Sequence, residues 1–318
     1  MNTFAIQTQN LTKHFGDIPA VNGIDLHVKP GEMFGIVGPD GAGKTTTLRM
    51  LCGVIPPTSG SAHVLGLDVV HDKQKLKHNI GYLSQRFSLY GDLTIDENIE
   101  FFAEIHQVKD YKKRRQELLD LTRLTPFRKR FADRLSGGMK QKLALACTLI
   151  HIPQVIFLDE PTTGVDPVSR RDFWKILASL LKTGITIVMS TPYLDEAERC
   201  NRVAMMSHGA ILITQTPSMI KKEMKGDLIE IMCDDVRRAF NLLKMNDAVI
   251  ETQAFGDRVH VVVMDASRDV PPVLAQLESA QVRIIQVRPI SPSLENVFIS
   301  LLQATAHQKE QANDDPCN

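Results

Sequence analysis

Gly38-Pro39-Asp40-Gly41-Ala42-Gly43-Lys44-Thr45-Thr46 is the stretch of sequence that decides the fold. It matches G-x-x-x-x-G-K-[ST], a loop whose backbone N–H groups cradle phosphates. The apolar run 33–37 before it predicts a buried strand, and residues 46–51 after it read as the first turns of a helix. The glycines let the backbone approach a polyphosphate closely, and the helix N-terminus adds positive potential. These features predict a nucleotide site, here called the phosphate loop (residues 38–46).

In such a site Lys44 reaches the β- and γ-phosphates, and the Thr45 hydroxyl helps to hold Mg²⁺. The alternative is a glycine-rich turn that matches the pattern by accident. With glycine near 7% of residues, such a match arises in only about 1% of chains of this length. The sequence therefore favours nucleotide binding.

The composition describes an ordinary globular protein of about two domains. Its 318 residues hold 37 Lys plus Arg and 37 Asp plus Glu, so no charge excess argues for nucleic acid as the main partner. The 5 cysteines are scattered and never spaced C-x-x-C, which favours reduced thiols over disulfides or a zinc site. No signal-peptide pattern and no run of about 18 apolar residues is found, so we expect an intracellular protein without a membrane span.

Two carboxylates follow a second predicted strand. The run 155–158 ends in Asp159 and Glu160, where Asp159 can hold Mg²⁺ and Glu160 can orient or deprotonate an attacking water. A structural acidic turn is the alternative. Repeated strand–helix alternation predicts a mostly parallel sheet with helices on both faces, whose carboxyl ends collect active groups. We therefore expect Gln85 and Thr191, which also follow strands, to face the phosphate loop.

Two further positions are candidates for nucleotide contact. Ser136-Gly137-Gly138 opens a predicted helix, and its free N–H groups form a second potential anion site or simply a capped helix start. Phe15 precedes a turn and either stacks on a base or packs inward as a strand aromatic.

In the C-terminal third of the chain a new series of predicted strands and helices begins. Strands are predicted at 228–232, 248–254, 258–264 and 282–287, with helices at 236–243 and 270–277. This βαββαβ order is consistent with a small ferredoxin-like unit, followed by a helix at 293–302. No carboxylate pair, metal spacing or nucleophile stands out there, so we interpret it as an assembly or regulatory domain rather than a ligand-binding one. The polar tail 304–318 is predicted to be disordered.

Taken in order and spacing, these motifs resemble those of ABC ATPase cassettes. The resemblance implies an α/β P-loop NTPase cassette over residues 1–225, with a parallel core, an antiparallel β subdomain and a helical subdomain at about 88–140. Residues 226–303 form the small α+β domain. The stretches 89–94 and 194–198 look like the subgroup that powers drug, lipid or polysaccharide exporters, and 292–298 resembles the ending of drug-exporter ATPases.

The resemblance also implies a role for each matching residue. Lys44 and Thr45 would bind phosphate and Mg²⁺, Asp159 would hold the metal, and Glu160 would be the catalytic base. Gln85 would touch the metal or the water and report to a membrane partner. The remaining positions would contact ATP or the opposing cassette: Phe15 on adenine, residues 38–46 around the phosphates, Ser136, Gly137 and Gly138 on ATP bound to a second cassette, and Asp166 at the dimer interface.

Two positions depart from the family pattern. Met139 stands where a Gln is usual, and we expect this to matter little. Pro192 stands where the family usually has a His that contacts the γ-phosphate. Proline has neither a side-chain donor nor an N–H, so it cannot replace that contact. We therefore expect ATP binding with weak hydrolysis, or a heterodimer in which a second cassette supplies the competent site.

The resemblance implies ATP and Mg²⁺ as ligands and separately encoded transmembrane permease subunits as partners. It also implies a second cassette, identical or different, and a peripheral location on the cytoplasmic face of the inner membrane. Two alternatives remain open. One is a degenerate, mainly structural nucleotide-binding subunit, and the other is an ABC ATPase acting on nucleic acid or ribosomes, although nucleic acid is not expected.

Overall fold

The structure is a computed structural model that describes residues 4–86 and 89–313. Its contacts divide the chain into two units, Met1–Thr214 and Gln215–Asn318. The boundary therefore falls before the predicted position at residue 225. The reason is local: a short helix, α8 (Pro217–Lys221), packs against the C-terminal helix α11 (Leu294–Asn313) inside the second unit.

The first unit is built around a six-stranded sheet in the order β11-β10-β4-β9-β8-β7. The ladders β10–β4, β4–β9, β9–β8 and β8–β7 are parallel. Three of these strands are buried along their whole length, as expected when helices cover both faces of a sheet. The bounds are β4 Met33–Val37, β7 Ile80–Leu83, β8 Val155–Asp159, β9 Thr186–Thr191, β10 Arg202–Ser207 and β11 Ala210–Gln215.

A second, antiparallel sheet precedes and flanks this core. Its strands run β2-β1-β5-β6, and β3 also pairs with β1. The bounds are β1 Ile6–Phe15, β2 Ile18–Ile24, β3 His27–Val28, β5 Ser59–Val64 and β6 Leu67–Asp68. Parallel core and antiparallel sheet are thus the two layers that the resemblance implied.

Helices surround the parallel sheet and form a separate helical subdomain. The subdomain begins with α3, which carries a complete capping box between Thr94 and Glu97. Ser88, the predicted start of the subdomain, lies outside the described residues. The bounds are α1 Lys44–Leu51, α2 Lys73–Asn79, α3 Ile95–Ile105, α4 Tyr111–Thr122, α5 Gly137–Leu149, α6 Pro167–Lys182 and α7 Leu194–Ala197, with short 3₁₀ turns at Thr125–Phe127 and Ala132–Arg134.

The second unit contains the predicted βαββαβ order. Its four-stranded sheet runs β13-β14-β12-β15, and every ladder is antiparallel, as in a ferredoxin-like fold. One face of the sheet packs on α9 and α10 through apolar side chains such as Ile231, Val261 and Leu277. The bounds are β12 Asp227–Cys233, α9 Val236–Leu243, β13 Val249–Phe255, β14 Arg258–Val263, α10 Ala266–Ser279 and β15 Ile284–Pro289.

Two features of the second unit differ from the sequence prediction. The helix predicted from residue 270 begins at Ala266, because the Asp265 side chain accepts hydrogen bonds from the N–H groups of Ser267 and Arg268. The tail predicted to be disordered from residue 304 continues α11 as far as Asn313. No proline or glycine interrupts residues 304–313, so nothing in that stretch ends the helix. Residues 314–318 lie outside the described part.

None of the helices in the described ranges is long and apolar enough to cross a membrane. Within the same ranges Cys52, Cys147, Cys200 and Cys233 are all free and buried. Burial raises the pKa of the Cys147 and Cys200 thiols above their usual value, which keeps them in the unreactive protonated form.

Candidate functional site

A cleft of about 450 Å³ opens at the carboxyl ends of β4 and β8. This is the edge at which open parallel sheets place their ligand sites. Its lining combines one exposed aromatic ring, the phosphate loop and two polar side chains that follow other strands: Phe15, Ala20, Asp40, Gly41, Ala42, Gly43, Lys44, Thr45, Thr46, Gln85 and Glu160.

The phosphate loop is folded tightly around its own lysine. The Lys44 side chain is 4% exposed, and its ammonium group donates to the carbonyl oxygens of Gly38 at 2.8 Å and Pro39 at 3.0 Å. The carboxylate of Asp40, at the exposed tip of the loop, lies 4.0 Å away. The lysine is therefore held at the base of the cleft, under the turn whose backbone would receive phosphate.

Two glycines make this turn possible for different reasons. Gly43 has φ 102°, a left-handed conformation that side chains rarely adopt, and it is the residue directly before α1. At Gly38 a Cβ atom would lie 2.0 Å from the carbonyl oxygen of Met206, so no side chain fits between the loop and β10. These two glycines therefore let the phosphate loop lie close to the parallel sheet.

Asp159 ends β8 and receives hydroxyl groups from three directions. Thr45 donates to it at 2.9 Å, Ser190 at 2.7 Å and Tyr82 at 3.2 Å. The carboxylate is 1% exposed. Burial, with a smaller contribution from Asp159, raises the pKa of Tyr82 to about 12, so this phenol stays protonated as a donor. Asp159 thus contacts the first turn of α1 directly, through Thr45.

Glu160 lines the cleft, and its side chain is 9% exposed. One carboxylate oxygen lies 3.4 Å from the Lys44 ammonium, and the other accepts a hydrogen bond from the Gln85 amide at 3.0 Å. Its backbone has φ 46°, and its N–H donates to the Ser190 hydroxyl at 2.9 Å. The structure therefore brings the predicted base, the predicted lysine and Gln85 together at one end of the cleft.

Phe15 also lines the cleft. It is the last residue of β1, its ring is 52% exposed, and the Lys13 ammonium lies 5.3 Å from the ring centre. The ring does not pack inward, which was the alternative interpretation of this aromatic. An exposed ring beside a phosphate loop suits stacking with a nucleotide base.

Ser136, Gly137 and Gly138 are not among the residues that line the cleft. Ser136 is exposed and caps α5 by accepting from the Met139 N–H at 3.4 Å. Asp166 is likewise exposed and caps α6 through the N–H groups of Val168 and Ser169. These hydrogen bonds lower the pKa of the Asp166 carboxyl. The chain therefore does not close its own cleft with this second set of residues.

Pro192 follows β9 directly and lies beside the phosphate loop without lining the cleft. The carbonyl of Thr191, the residue before it, accepts a hydrogen bond from the Gly38 N–H at 3.4 Å. The Thr191 hydroxyl does not face the loop as expected, because it donates to the buried carboxylate of Glu196 at 2.7 Å. Only the backbone of Thr191 contacts the phosphate loop.

Sequence reasoning missed Tyr82, Ser190 and Glu196, which position the predicted residues. Tyr82 and Ser190 lie inside β7 and β9, where an isolated polar residue gives little signal. Their position in the strand is the one signal available: each is the residue before the last of its strand. The parallel register sets Ser190 opposite Asp159 and Tyr82 opposite Phe157, two residues before Asp159.

Comparison with known proteins agrees with this geometry. Residues 21–163 match the family described as ABC transporter, and residues 216–302 match the DrrA1-3-like ATP-binding protein C-terminal domain. The chain is 33% identical over 317 residues to the daunorubicin resistance ATP-binding protein DrrA2 of Streptomyces coeruleorubidus, covering 98% of both chains. The chain belongs to the family of ABC transporter ATP-binding proteins.

Other family members match over the cassette alone. The probable multidrug ABC transporter ATP-binding protein YbhF of Escherichia coli K12 is 41% identical over 224 residues. That match covers 70% of this chain but only 39% of YbhF. Among solved structures, the dimeric cassette MJ0796, in a post-hydrolysis state bound to ADP and Pi, superposes with a TM-score of 0.61 and 27% identity. It covers 66% of this chain and 98% of that one. The ABC cassette fold predicted for the N-terminal part is confirmed.

Proposed function

We propose that this chain is the ATP-binding and ATP-hydrolysing subunit of an ABC exporter. The observation that carries the proposal is the convergence of Lys44, Glu160 and Gln85 at the base of the cleft. A phosphate site alone would need only the loop and its lysine. A carboxylate 3.4 Å from that lysine adds the group that can act on water at the γ-phosphate.

The residues near the loop fit Mg²⁺. Thr45 and Asp159 supply a hydroxyl and a carboxylate 2.9 Å apart, and oxygen ligands of this kind are those that Mg²⁺ prefers. In the described part of the chain no group of three or more His, Cys, Asp or Glu could hold a metal ion. A Mg²⁺ that takes its other ligands from phosphate and water does not need one. Thr45, Asp159 and Gln85 would hold the ion, which supplies charge neutralisation at the phosphates.

The protein groups divide the work as follows. The backbone of the phosphate loop and Lys44 bind and orient the β- and γ-phosphates. Phe15 holds the adenine, and Glu160 accepts a proton from the attacking water, which Gln85 helps to orient through its hydrogen bond to Glu160. Asp159 is held by its three hydroxyl donors, so it needs no rearrangement when nucleotide enters.

A second cassette completes the site. Ser136 is exposed at the start of α5, away from the cleft of its own chain, and the free N–H groups of that helix end suit the phosphate of an ATP bound elsewhere. The dimeric state of MJ0796 with ADP and Pi supports this arrangement. ATP would draw two cassettes together, and hydrolysis followed by product release would separate them.

Hydrolysis at this cleft is expected to be slow, because Pro192 offers no donor at a position next to Gly38. The partners would be transmembrane permease subunits at the cytoplasmic face of the membrane. The names of the relatives, which include drug and linearmycin resistance and Nod factor export proteins, support an export role.

Steady-state ATPase measurements on the purified protein, with Glu160→Gln as the matched variant, test the proposal. We expect both proteins to bind ATP and only the wild type to hydrolyse it, with a loss of about 10² or more in the variant. Absence of nucleotide binding would contradict the proposal. Equal, negligible turnover in both proteins with intact binding would instead support the mainly structural subunit, which the proline at position 192 favours.

A further inference from the structure

Glu196 is a fully buried carboxylate that the functional site described above does not use. It lies in α7, its side chain is 1% exposed, and it is not among the residues that line the cleft. Three side chains donate to it: the Thr162 hydroxyl and the Arg170 guanidinium (2.6 Å) on one oxygen, and the Thr191 hydroxyl (2.7 Å) on the other. A carboxylate only accepts hydrogen bonds, so each contact has the correct polarity.

These contacts join the segment that bears Glu160, which lines the cleft, to the strand end that is hydrogen-bonded to the phosphate loop. Thr162 comes two residues after Glu160 and is 3% exposed. Thr191 ends β9, and its carbonyl accepts the Gly38 N–H at 3.4 Å, so it is bonded directly to the phosphate loop. One carboxylate therefore connects the backbone that bears Glu160 to the strand that supports the loop.

The same carboxylate fixes the turn that contains Pro192. The Thr191 hydroxyl, while donating to Glu196, also accepts the N–H of Tyr193 at 3.0 Å. The Arg170 guanidinium, bonded to Glu196, lies 4.7 Å from the centre of the Tyr193 ring. Both neighbours of Pro192 are thus tied to Glu196, either directly or through Arg170.

We propose that Glu196 is a positioning residue for ATP hydrolysis, acting through Thr162 and Thr191 to hold Glu160 at a fixed distance from the phosphate loop. The proposal rests on the ATPase function proposed above. Its chemical basis is that a neutral amide at position 196 could not accept all three of these hydrogen bonds. In Glu196→Gln one acceptor oxygen becomes an amide NH₂ group. Facing Arg170 it would meet another donor, and facing Thr191 it would leave that hydroxyl, which already accepts from Tyr193, without its acceptor. Either arrangement weakens the connection between the two segments. A displacement of about 1 Å at a reacting group costs on the order of 10²-fold in rate.

The experiment compares variants of the full chain at a temperature below the melting transition of each. Glu196→Gln removes the charge, Thr191→Val removes one connecting hydroxyl, and Thr191→Ser restores that hydroxyl. Glu32→Gln is the matched control, because Glu32 is also a buried glutamate paired with an arginine, Arg202, at 3.2 Å. It lies next to β4 at the end opposite the phosphate loop.

For Glu196→Gln and Thr191→Val we expect kcat to fall by on the order of tenfold to 10²-fold, while KM and ATP affinity change by less than about twofold. Thr191→Ser should recover most of the rate, and Glu32→Gln should keep wild-type kcat even if its melting temperature falls. Should Glu196→Gln fail to fold, the Thr191 pair alone decides the question.

Unchanged kcat in folded Thr191→Val, or a loss that Thr191→Ser does not recover, would overturn the inference. So would an equal loss in Glu32→Gln, because the effect would then follow stability rather than position. A wild type that binds no ATP would refute the proposed function instead, and the two failures are therefore distinguishable.

Discussion

Replacing Pro192 by histidine tests the relation between the phosphate loop and the segment after β9. The Thr191 carbonyl oxygen lies 3.4 Å from the Gly38 nitrogen. Residue 192 therefore comes directly after a residue that is hydrogen-bonded to the phosphate loop. Proline fixes φ near −65°, a value that histidine adopts without strain. Pro192→His therefore adds an imidazole N–H donor beside the γ-phosphate position without requiring a new backbone path.

The expected gain follows from the energy of one preorganised contact. Such a donor contributes about 3–4 kcal/mol to the transition state, or 10²–10³ in kcat. Position 192 is partly exposed and does not line the cleft, so solvent weakens the added contact and the lower value, about 10², is the appropriate expectation. ATP affinity should change little, because Lys44 and the loop backbone remain in place.

The assay is steady-state ATP hydrolysis by wild type, Pro192→His and Pro192→Ala, measured alone and in the assembled transporter. Pro192→Ala removes the ring constraint without adding a donor, and we expect it to stay at the wild-type rate. Each variant is repeated with Glu160→Gln to prove that the added turnover uses the same base. If Pro192→His leaves kcat unchanged in the assembled transporter, the reasoning is refuted. It is refuted equally if Pro192→Ala gives the same increase.

Three further predictions concern stability. Gly38→Ala places a Cβ 2.0 Å from the Met206 carbonyl oxygen. It should lower the free energy of unfolding, measured by urea titration, by about 1–3 kcal/mol, and it should weaken ATP binding. Gly137→Ala is the control, because its Cβ has open space around it and stability should be unchanged. Burial, and to a lesser degree the stacked His106 ring, lowers the pKa of His151 from 6.5 to about 4. Between these two pH values the folded protein binds fewer protons than the unfolded chain, so the free energy of unfolding should fall as the pH drops from 6.5 to 4 and stay constant above 6.5. His151→Gln should flatten this pH dependence. Asn296→Ala removes the amide that donates to the side-chain oxygen of the buried Gln253 at 2.8 Å and should cost about 1–3 kcal/mol, seen as faster hydrogen exchange in α11.

The sequence was informative wherever the determining residues are neighbours along the chain. The phosphate loop could be predicted because its glycines, lysine and threonine are contiguous. The βαββαβ order of the second unit was equally accessible, because strand-like and helix-like segments follow one another there with turn residues such as Phe255-Gly256-Asp257 between them. The end of the first unit was not, because α8 packs on α11, which lies more than 70 residues further along the chain.

What the sequence could not provide is the pairing of side chains that are distant along the chain. Glu160 could be named from its place after β8, but its approach to Lys44 at 3.4 Å depends on the register between β4, β9 and β8. Thr191 is a second example of a side-chain partner that could not be predicted. Its position at a strand end was correctly identified, yet its hydroxyl bonds Glu196 rather than the phosphate loop. Strand order predicts which backbone segments lie side by side, but the partners of each side chain can be identified only in the packed structure.

The cleft and the exposed residues of α5 together support the proposal that one chain holds half of a hydrolytic site. The groups proposed to bind phosphate and to deprotonate water, Lys44 and Glu160, meet within one cleft, and both side chains are nearly buried. Ser136 and Gly137, by contrast, are exposed and contact no part of that cleft. A helix N-terminus left open to solvent stabilises nothing in its own chain beyond its cap, but it can stabilise an anion brought by another molecule. Under the proposed function, binding therefore belongs to the single chain, and the rate of hydrolysis would depend on how closely a second cassette approaches and on what residue 192 can donate.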